Sequence, residues 1–225
     1  MSELFAFLKQ GGVVMVPIFA FSVVALMVFA ERVWALRGGR VIPREFVALI
    51  RRKVREGRAT EALTLCEGNR STASAVLASG LRNAGGPREV IKESFEEVGR
   101  IEVTHLGRFV EVLGTIAAVA PLLGLLGTVV GMIDVFRTVV AEVGDVAGPV
   151  NPASLASGIW AALLTTAAGL SVAIPAYLGY KFLLSRVDQL AIEMEEVCLD
   201  LLGLMTATEA PVSAPIVDAD EQAAP

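Results

Sequence analysis

Three stretches of this sequence, residues 11–30, 112–133 and 146–180, contain no Asp, Glu, Lys or Arg. A helix rising about 1.5 Å per residue needs about 20 apolar residues to cross a hydrocarbon layer of about 30 Å. Each stretch is long enough, and we place spans at 12–30, 112–133 and 158–180. Composition agrees, since 54% of the 225 residues are hydrophobic, 19% are charged and the mean hydropathy is +0.64, too apolar for an ordinary soluble domain. The first stretch is longer than the apolar core of a signal peptide and runs directly into Glu31-Arg32, so we expect it to be retained. Two cysteines exclude a disulfide-built scaffold, and a net charge of -5 argues against a nucleic-acid partner. A single histidine leaves little room for a zinc site or a histidine-based triad. No cofactor, metal or catalytic residue is expected, and the chain does not read as an enzyme.

Residues 31–111 hold 15 of the 19 basic side chains, whereas 134–157 hold only Arg137. Basic residues beside span ends stay in the cytoplasm. The segment 31–111 is therefore expected inside, residues 1–11 and the loop 134–157 outside, and the C-terminus inside. Cys66 and Cys198 then face the reducing compartment, where free, packed thiols are expected.

The segment 31–111 reads as helices, at 44–56, 59–66 and 72–81, separated by Gly57, Gly68 and Gly85-Gly86. From Pro87 nothing strongly breaks a helix before Pro121, so one helix about 70 Å long is expected over 87–133, with His105 on its apolar side. Beyond Tyr180, the residues Leu183, Val187, Leu190, Met194, Val197, Leu201 and Leu204 form an apolar seam within a helix over 181–209. That seam wants a helical partner, in its own chain or a neighbour. The tail 210–225, rich in Pro, Ala and acid, is expected to be disordered. The fold class is an all-α membrane protein with three transmembrane helices, the second and third extended into a helical cytoplasmic domain.

Within the second span Gly114, Ala117, Pro121, Gly124, Thr128 and Gly131 share one face. In the third, Gly158, Ala162, Thr165, Gly169, Val172, Ala176 and Gly179 do so. Lipid offers no hydrophobic drive for helix association, so close contact through small residues must supply it. Thr128, Thr165 and Thr166 fall at similar depth and make a candidate polar level, although a threonine hydroxyl can equally bond its own helix backbone. Pro121 and Pro175 are expected to kink their helices. No titratable group lies inside a span. Asp134 sits at the outer edge, so a proton relay needs a carboxylate from another polypeptide.

The runs Pro121-Leu-Leu-Gly-Leu-Leu-Gly-Thr-Val-Val-Gly-Met132 and Gly158-Ile-Trp-Ala-Ala-Leu-Leu-Thr-Thr-Ala-Ala-Gly-Leu-Ser-Val-Ala-Ile-Pro-Ala176 closely resemble the MotA/TolQ/ExbB proton-channel family. Three spans favour its TolQ/ExbB branch. The resemblance implies a bacterial inner-membrane protein with a periplasmic N-terminus and a periplasmic loop. It also implies a homopentamer enclosing two copies of an ExbD/TolR-like single-span partner, each copy supplying a proton-carrying aspartate, and coupling in turn to a TonB- or TolA-like protein. Thr128 and Thr166 match the family's pore threonines, and Thr165 neighbours them. Ala161 stands where many members carry a glutamate, which leaves the partner aspartate as the main proton carrier. Gly124, Gly131, Gly158, Ala161 and Gly169 are the small residues assigned to helix packing and the pore face.

The resemblance thus implies a subunit of a proton-driven stator that energises transport or envelope processes at the outer membrane. The rival reading is a non-conducting oligomeric scaffold for a transport complex, which Ala161 favours. The glycines of 124–131 lack the lysine and preceding strand of a phosphate loop.

Overall fold

A computed structural model describes residues 12–145 and 152–207, and all regular structure among them is helical. In chain order the helices are α1 (Met15–Ala35), α2 (Gly38–Val41), α3 (Arg44–Arg55), α4 (Ala59–Glu67), α5 (Thr72–Leu81), α6 (Arg88–Gly107), α7 (Val110–Asp145) and α8 (Pro152–Ala207). The N-terminal segment 1–11 and the tail 210–225 lie outside the described residues. Three helices are long and apolar enough to cross a membrane: α1, α7 over Val110–Ala141 and α8 over Leu155–Thr206. The chain is an all-α membrane protein. Its contacts divide it into one unit of Met1–Val41 with Ile101–Ala191 and another of Ile42–Arg100 with Ile192–Pro225.

In the first unit, α1, α7 and α8 meet around Ala25, Ile116, Ala117 and Ala176, with Phe21 and Val172 packed against them. The buried residues are mostly small, so the backbones come close. The large ones point away: Leu122, Leu125, Leu126 and Val129 on α7 and Trp160 and Leu163 on α8 are all exposed in the single chain. An apolar surface this extensive is incompatible with water and belongs against lipid or other chains.

The helix expected over 87–133 is interrupted. It ends at Gly107 and restarts at Val110, with Arg108 and Phe109 in a turn. Glycine is a weak helix former because ordering it costs the most backbone entropy, and the break is fastened by a side chain from α1. Arg32 donates from Nη1 to the Leu106 carbonyl (3.5 Å), and its guanidinium lies 4.6 Å from the Phe109 ring centroid. Glu31 accepts two bonds from the same guanidinium, at 2.5 and 3.0 Å. The Arg32 side chain is only 11% exposed, so its charge is compensated by a carboxylate, a carbonyl and a ring face. His105, expected on the apolar side of this helix, is exposed.

At the opposite end, much of the segment expected as a loop at 134–157 is helical. No Pro or Gly interrupts 132–143, Thr138 donates to the Asp134 carbonyl (3.0 Å), and Arg137 pairs with Asp134 at 3.8 Å. Residues 146–151 of that segment lie outside the described residues.

In the second unit, α3 buries Val47, Ile50 and Val54 on one face. It is closed by Gly57 at φ +73°, with the Gly57 amide donating to Val54 and the Arg58 amide to Lys53, the pattern of a glycine-terminated helix. The Ser71 hydroxyl caps α5 by accepting from the Ser74 amide (3.2 Å). Helix α5 is buried almost throughout, and Gly80 sits so close to Phe95 that a Cβ there would overlap the ring. Beside it, Ser79 donates to the Ser94 carbonyl (3.0 Å) and Asn83 to the Ser94 hydroxyl (2.7 Å). Arg51 pairs with Asp200 on α8 at 2.9 Å.

The buried seam of α8 runs Leu183, Val187, Leu190, Met194, Cys198, Leu201 and Met205. It agrees with the expected seam as far as Met194 and again at Leu201, while Cys198 and Met205 replace Val197 and Leu204. A straight helix of 3.6 residues per turn drifts off a strict 3.5-residue repeat. Burial of these residues in the single chain means that the seam packs on its own chain.

Cys66 and Cys198 are free and buried. Burial, with the charge of Glu67 adding to it, pushes the Cys66 thiol up to about 11. Since the thiolate is the nucleophile, alkylation of Cys66 at pH 8 is expected to be at least about a hundredfold slower in the folded protein than after denaturation. Equal rates by mass spectrometry would contradict the packing of α4. Gly80→Val is expected to lower the Tm of the detergent-solubilised protein, because overpacking costs about 1–3 kcal/mol; an unchanged Tm would remove Phe95 from that contact.

Candidate functional site: the contact of the two motif helices

Both sequence motifs lie on α7 and α8, and the structure brings them together. The closest approach is at Gly169, where an added Cβ would stand 2.6 Å from the Ala120 carbonyl oxygen and 3.0 Å from Gly124 Cα. At Gly124 a Cβ would lie 3.0 Å from both the Thr165 carbonyl oxygen and Thr166 Cα, and at Gly131 it would lie 2.8 Å from Ala162 Cβ. Gly158 faces Val135 with no space for a side chain between them. The small residues therefore stand where two backbones pass, with no room for anything larger.

Contact this close lets short hydroxyls cross from one helix to the other. Thr166 donates to the Gly124 carbonyl at 2.9 Å. Thr165 donates to Ala162 on its own helix at 2.6 Å, with the Gly124 carbonyl 3.3 Å away. Thr165 is 2% exposed and lies against Gly127, where a Cβ would collide with the threonine hydroxyl. Thr128 is half-buried and donates to the Leu125 carbonyl at 2.7 Å. The three threonines thus fall within about one helical turn of one another but differ in what they face. Thr165 is enclosed by its own chain, Thr166 bridges the helices, and Thr128 stays on its own backbone.

Gly127 was absent from the expected stripe, which placed Thr128 on the contact face. The structure puts Gly124, Gly127 and Gly131 there, three and four residues apart, and turns Thr128 to the side of the contact. The signal was present in Gly-Leu-Leu-Gly-Thr-Val-Val-Gly, whose glycines alone keep helical spacing. Both prolines lie inside continuous helices, Pro121 in α7 and Pro175 in α8. Neither interrupts its helix, although each removes one backbone donor.

Toward the end of α7 nearest Asp145, a cleft of about 450 Å³ lies beside the α7–α8 contact, lined from Gly127 up to Asp134 on α7, by Gly158 and Ala161 on α8 and by Gly12, Val13 and Val14 just before α1. Ala161 is half-buried. Among the described residues no group of three or more His, Cys, Asp or Glu side chains is placed to hold a metal ion. The arrangement offers hydroxyls, carbonyls and close packing rather than a reactive centre.

A model of the MotA/TolQ/ExbB proton channel family matches residues 69–196. The chain is 34% identical over 189 residues to a biopolymer transport protein ExbB-like 1 of Synechocystis, covering 81% of this chain and 71% of that one. It is 30% identical over 181 residues to an ExbB homolog of Methanothermobacter thermautotrophicus, covering 80% of this chain and 62% of the relative. It thus spans less than two thirds of the latter's length. Against a biopolymer transport protein ExbB of Aquifex aeolicus it is 32% identical over 121 residues, covering 54% of this chain and 78% of the relative.

If the α7–α8 contact is as tight as described, Gly169→Val leaves little or no folded protein in size-exclusion chromatography. Thr166→Val, which removes one interhelical bond of a kind worth about 0.6 kcal/mol, lowers the Tm only slightly. A well-folded Gly169→Val protein would contradict the contact.

Proposed function

Because the chain belongs to the MotA/TolQ/ExbB proton channel family, in its ExbB branch, we propose that it is the ring-forming subunit of an inner-membrane motor driven by the proton motive force. Its copies, five by family resemblance, assemble through the exposed apolar faces of α7 and α8 around the single-span helices of two ExbD/TolR-like chains. The observation that carries this reading is the placement of Thr128 and Thr166 about one helical turn apart, on two helices held at backbone contact, within the acid-free stretches 112–133 and 146–180. A carboxylate brought by a partner helix finds there hydroxyls that can donate to its charged form and accept from its protonated form.

The distribution of basic residues supports a cytoplasmic location for 31–111 and a periplasmic one for the N-terminus. In that orientation protons move from the Asp134 end of α7 toward the Arg32 end. Each charge crossing about 100 mV releases about 2.3 kcal/mol, so a few protons per step supply useful mechanical work. The work is delivered to outer-membrane transport or envelope processes through a TonB- or TolA-like chain. Thr165, sealed by its own chain, serves the helix contact rather than the lumen.

The hydroxyl bonds to carbonyls of this chain also fit a second reading, a non-conducting scaffold that positions a transport complex. Proton flux in liposomes containing this chain and its partner separates the two. Flux driven by an imposed potential, and lowered several-fold by Thr128→Val or Thr166→Val, is expected for the motor subunit. Absence of flux would favour the scaffold.

A further inference from the structure

We propose that the cleft between the start of α1 and the outer halves of α7 and α8 is a water-filled proton inlet, with Asp134 as its proton-collecting carboxylate. The inference rests on the orientation and proton-channel reading given above, and it places a titratable group of this chain on the path.

The geometry is specific. The cleft, of about 450 Å³, has Val14 on the α1 side, Gly131 and Asp134 on α7, and Gly158 and Ala161 on α8, and it reaches down to Gly127. Gly127 is the residue against which the Thr165 hydroxyl is packed. Asp134 and Gly127 are seven residues apart on one helix, about 10 Å along its axis. The cleft therefore runs from the outer end of the bundle to Gly127, the residue before Thr128, over about two helical turns. At about 30 Å³ per liquid water, its volume holds on the order of ten molecules. Apart from Asp134, Thr138 and Leu155, the walls are glycine, alanine and valine, which leave the space open.

Asp134 is the one titratable side chain among the described residues that line the cleft. Among the described residues, Asp134 pairs with Arg137 on the same helix, 3.8 Å away, and both side chains are more than two thirds exposed. So loose a pair contributes little and leaves the carboxylate open to the outer solution. From the turn just before α1 the cleft is lined by Gly12, Val13 and Val14, and from α8 by Leu155, Gly158, Ala161 and Ala162, none charged. The step balances simply. A hydronium from the outer solution gives its proton to an Asp134 carboxylate oxygen, forming an O–H bond. That bond breaks when the proton passes to a water inside the cleft, restoring the carboxylate.

Two measurements on the full complex with its partner chain test this. The first is labelling of Ala161→Cys with a charged, membrane-impermeant thiol reagent added from the outer side, the parent protein with its buried Cys66 and Cys198 giving the background. Labelling above background is expected. No labelling means that lipid or protein fills the cleft, and it overturns the proposal whether or not the complex conducts. The second is proton flux in proteoliposomes as a function of outer pH. Positioned proton-transfer groups typically contribute about 10²–10⁴-fold. Because water partly substitutes at an exposed inlet, Asp134→Asn is expected to lower flux by only about tenfold and to change its dependence on outer pH. Asp134→Glu is expected to retain both flux and pH dependence. Unchanged flux and pH profile in Asp134→Asn, beside a conducting parent, overturns the inlet while leaving the channel reading intact. No flux from the parent overturns the channel reading and, with it, the role of Asp134.

Discussion

The passage of α8 across α7 with almost nothing between their backbones is the constraint on which the rest of this structure depends. In lipid, two helices gain nothing by hiding apolar surface from each other, so they associate only where packing and hydrogen bonds exceed what acyl chains provide. Gly124 and Gly169 meet that condition by removing the side chains at the crossing. Once the backbones are this close, a threonine hydroxyl, too short to bridge an ordinary helix pair, reaches the opposite carbonyl, as Thr166 does at Gly124. The same approach encloses Thr165 against Gly127 and leaves the bulky residues of both helices facing outward. Packing and polar function are therefore set by one geometric choice.

Much of this was legible in the sequence because the forces concerned are local or periodic. Charge-free runs of bilayer length located the spans, and Gly57 marked the end of α3. The small residues Gly158, Ala162 and Gly169, at helical spacing, marked the face that α8 turns to α7. What was not legible depended on partners distant in sequence. The choice between Gly127 and Thr128 for the contact face turns on which side of α7 meets α8, which a stripe of mixed small residues does not decide. The interruption at Arg108-Phe109 needed both a weak helix former at Gly107 and an arginine 74 residues away to bond the Leu106 carbonyl. The replacement of Val197 by Cys198 in the α8 seam is the accumulated drift of a straight helix, invisible to a repeat counted in sevens.

Arg32 gives the second fixed point of the membrane unit. An arginine largely removed from solvent is costly unless its donors are satisfied, and here Glu31, Leu106 and Phe109 satisfy it together. Its place at the α6–α7 break ties the end of the first span to the start of the second. The apolar part of α7 is thus held at one end by a charged clasp and along its length by contact with α8. Pro121, Gly124 and Thr128 lie on the stretch of α7 so restrained.

In the proposed assembly, α7 and α8 of neighbouring copies surround a lumen whose hydroxyls await a carboxylate carried by another chain. A cryo-electron microscopy map of the assembly purified with its ExbD/TolR-like partner tests this most directly. The account predicts single-helix density inside a ring of these chains, with an acidic side chain at the height of Thr128 and Thr166. A ring whose centre is closed by its own side chains, or filled by lipid with no partner helix inside, would contradict it.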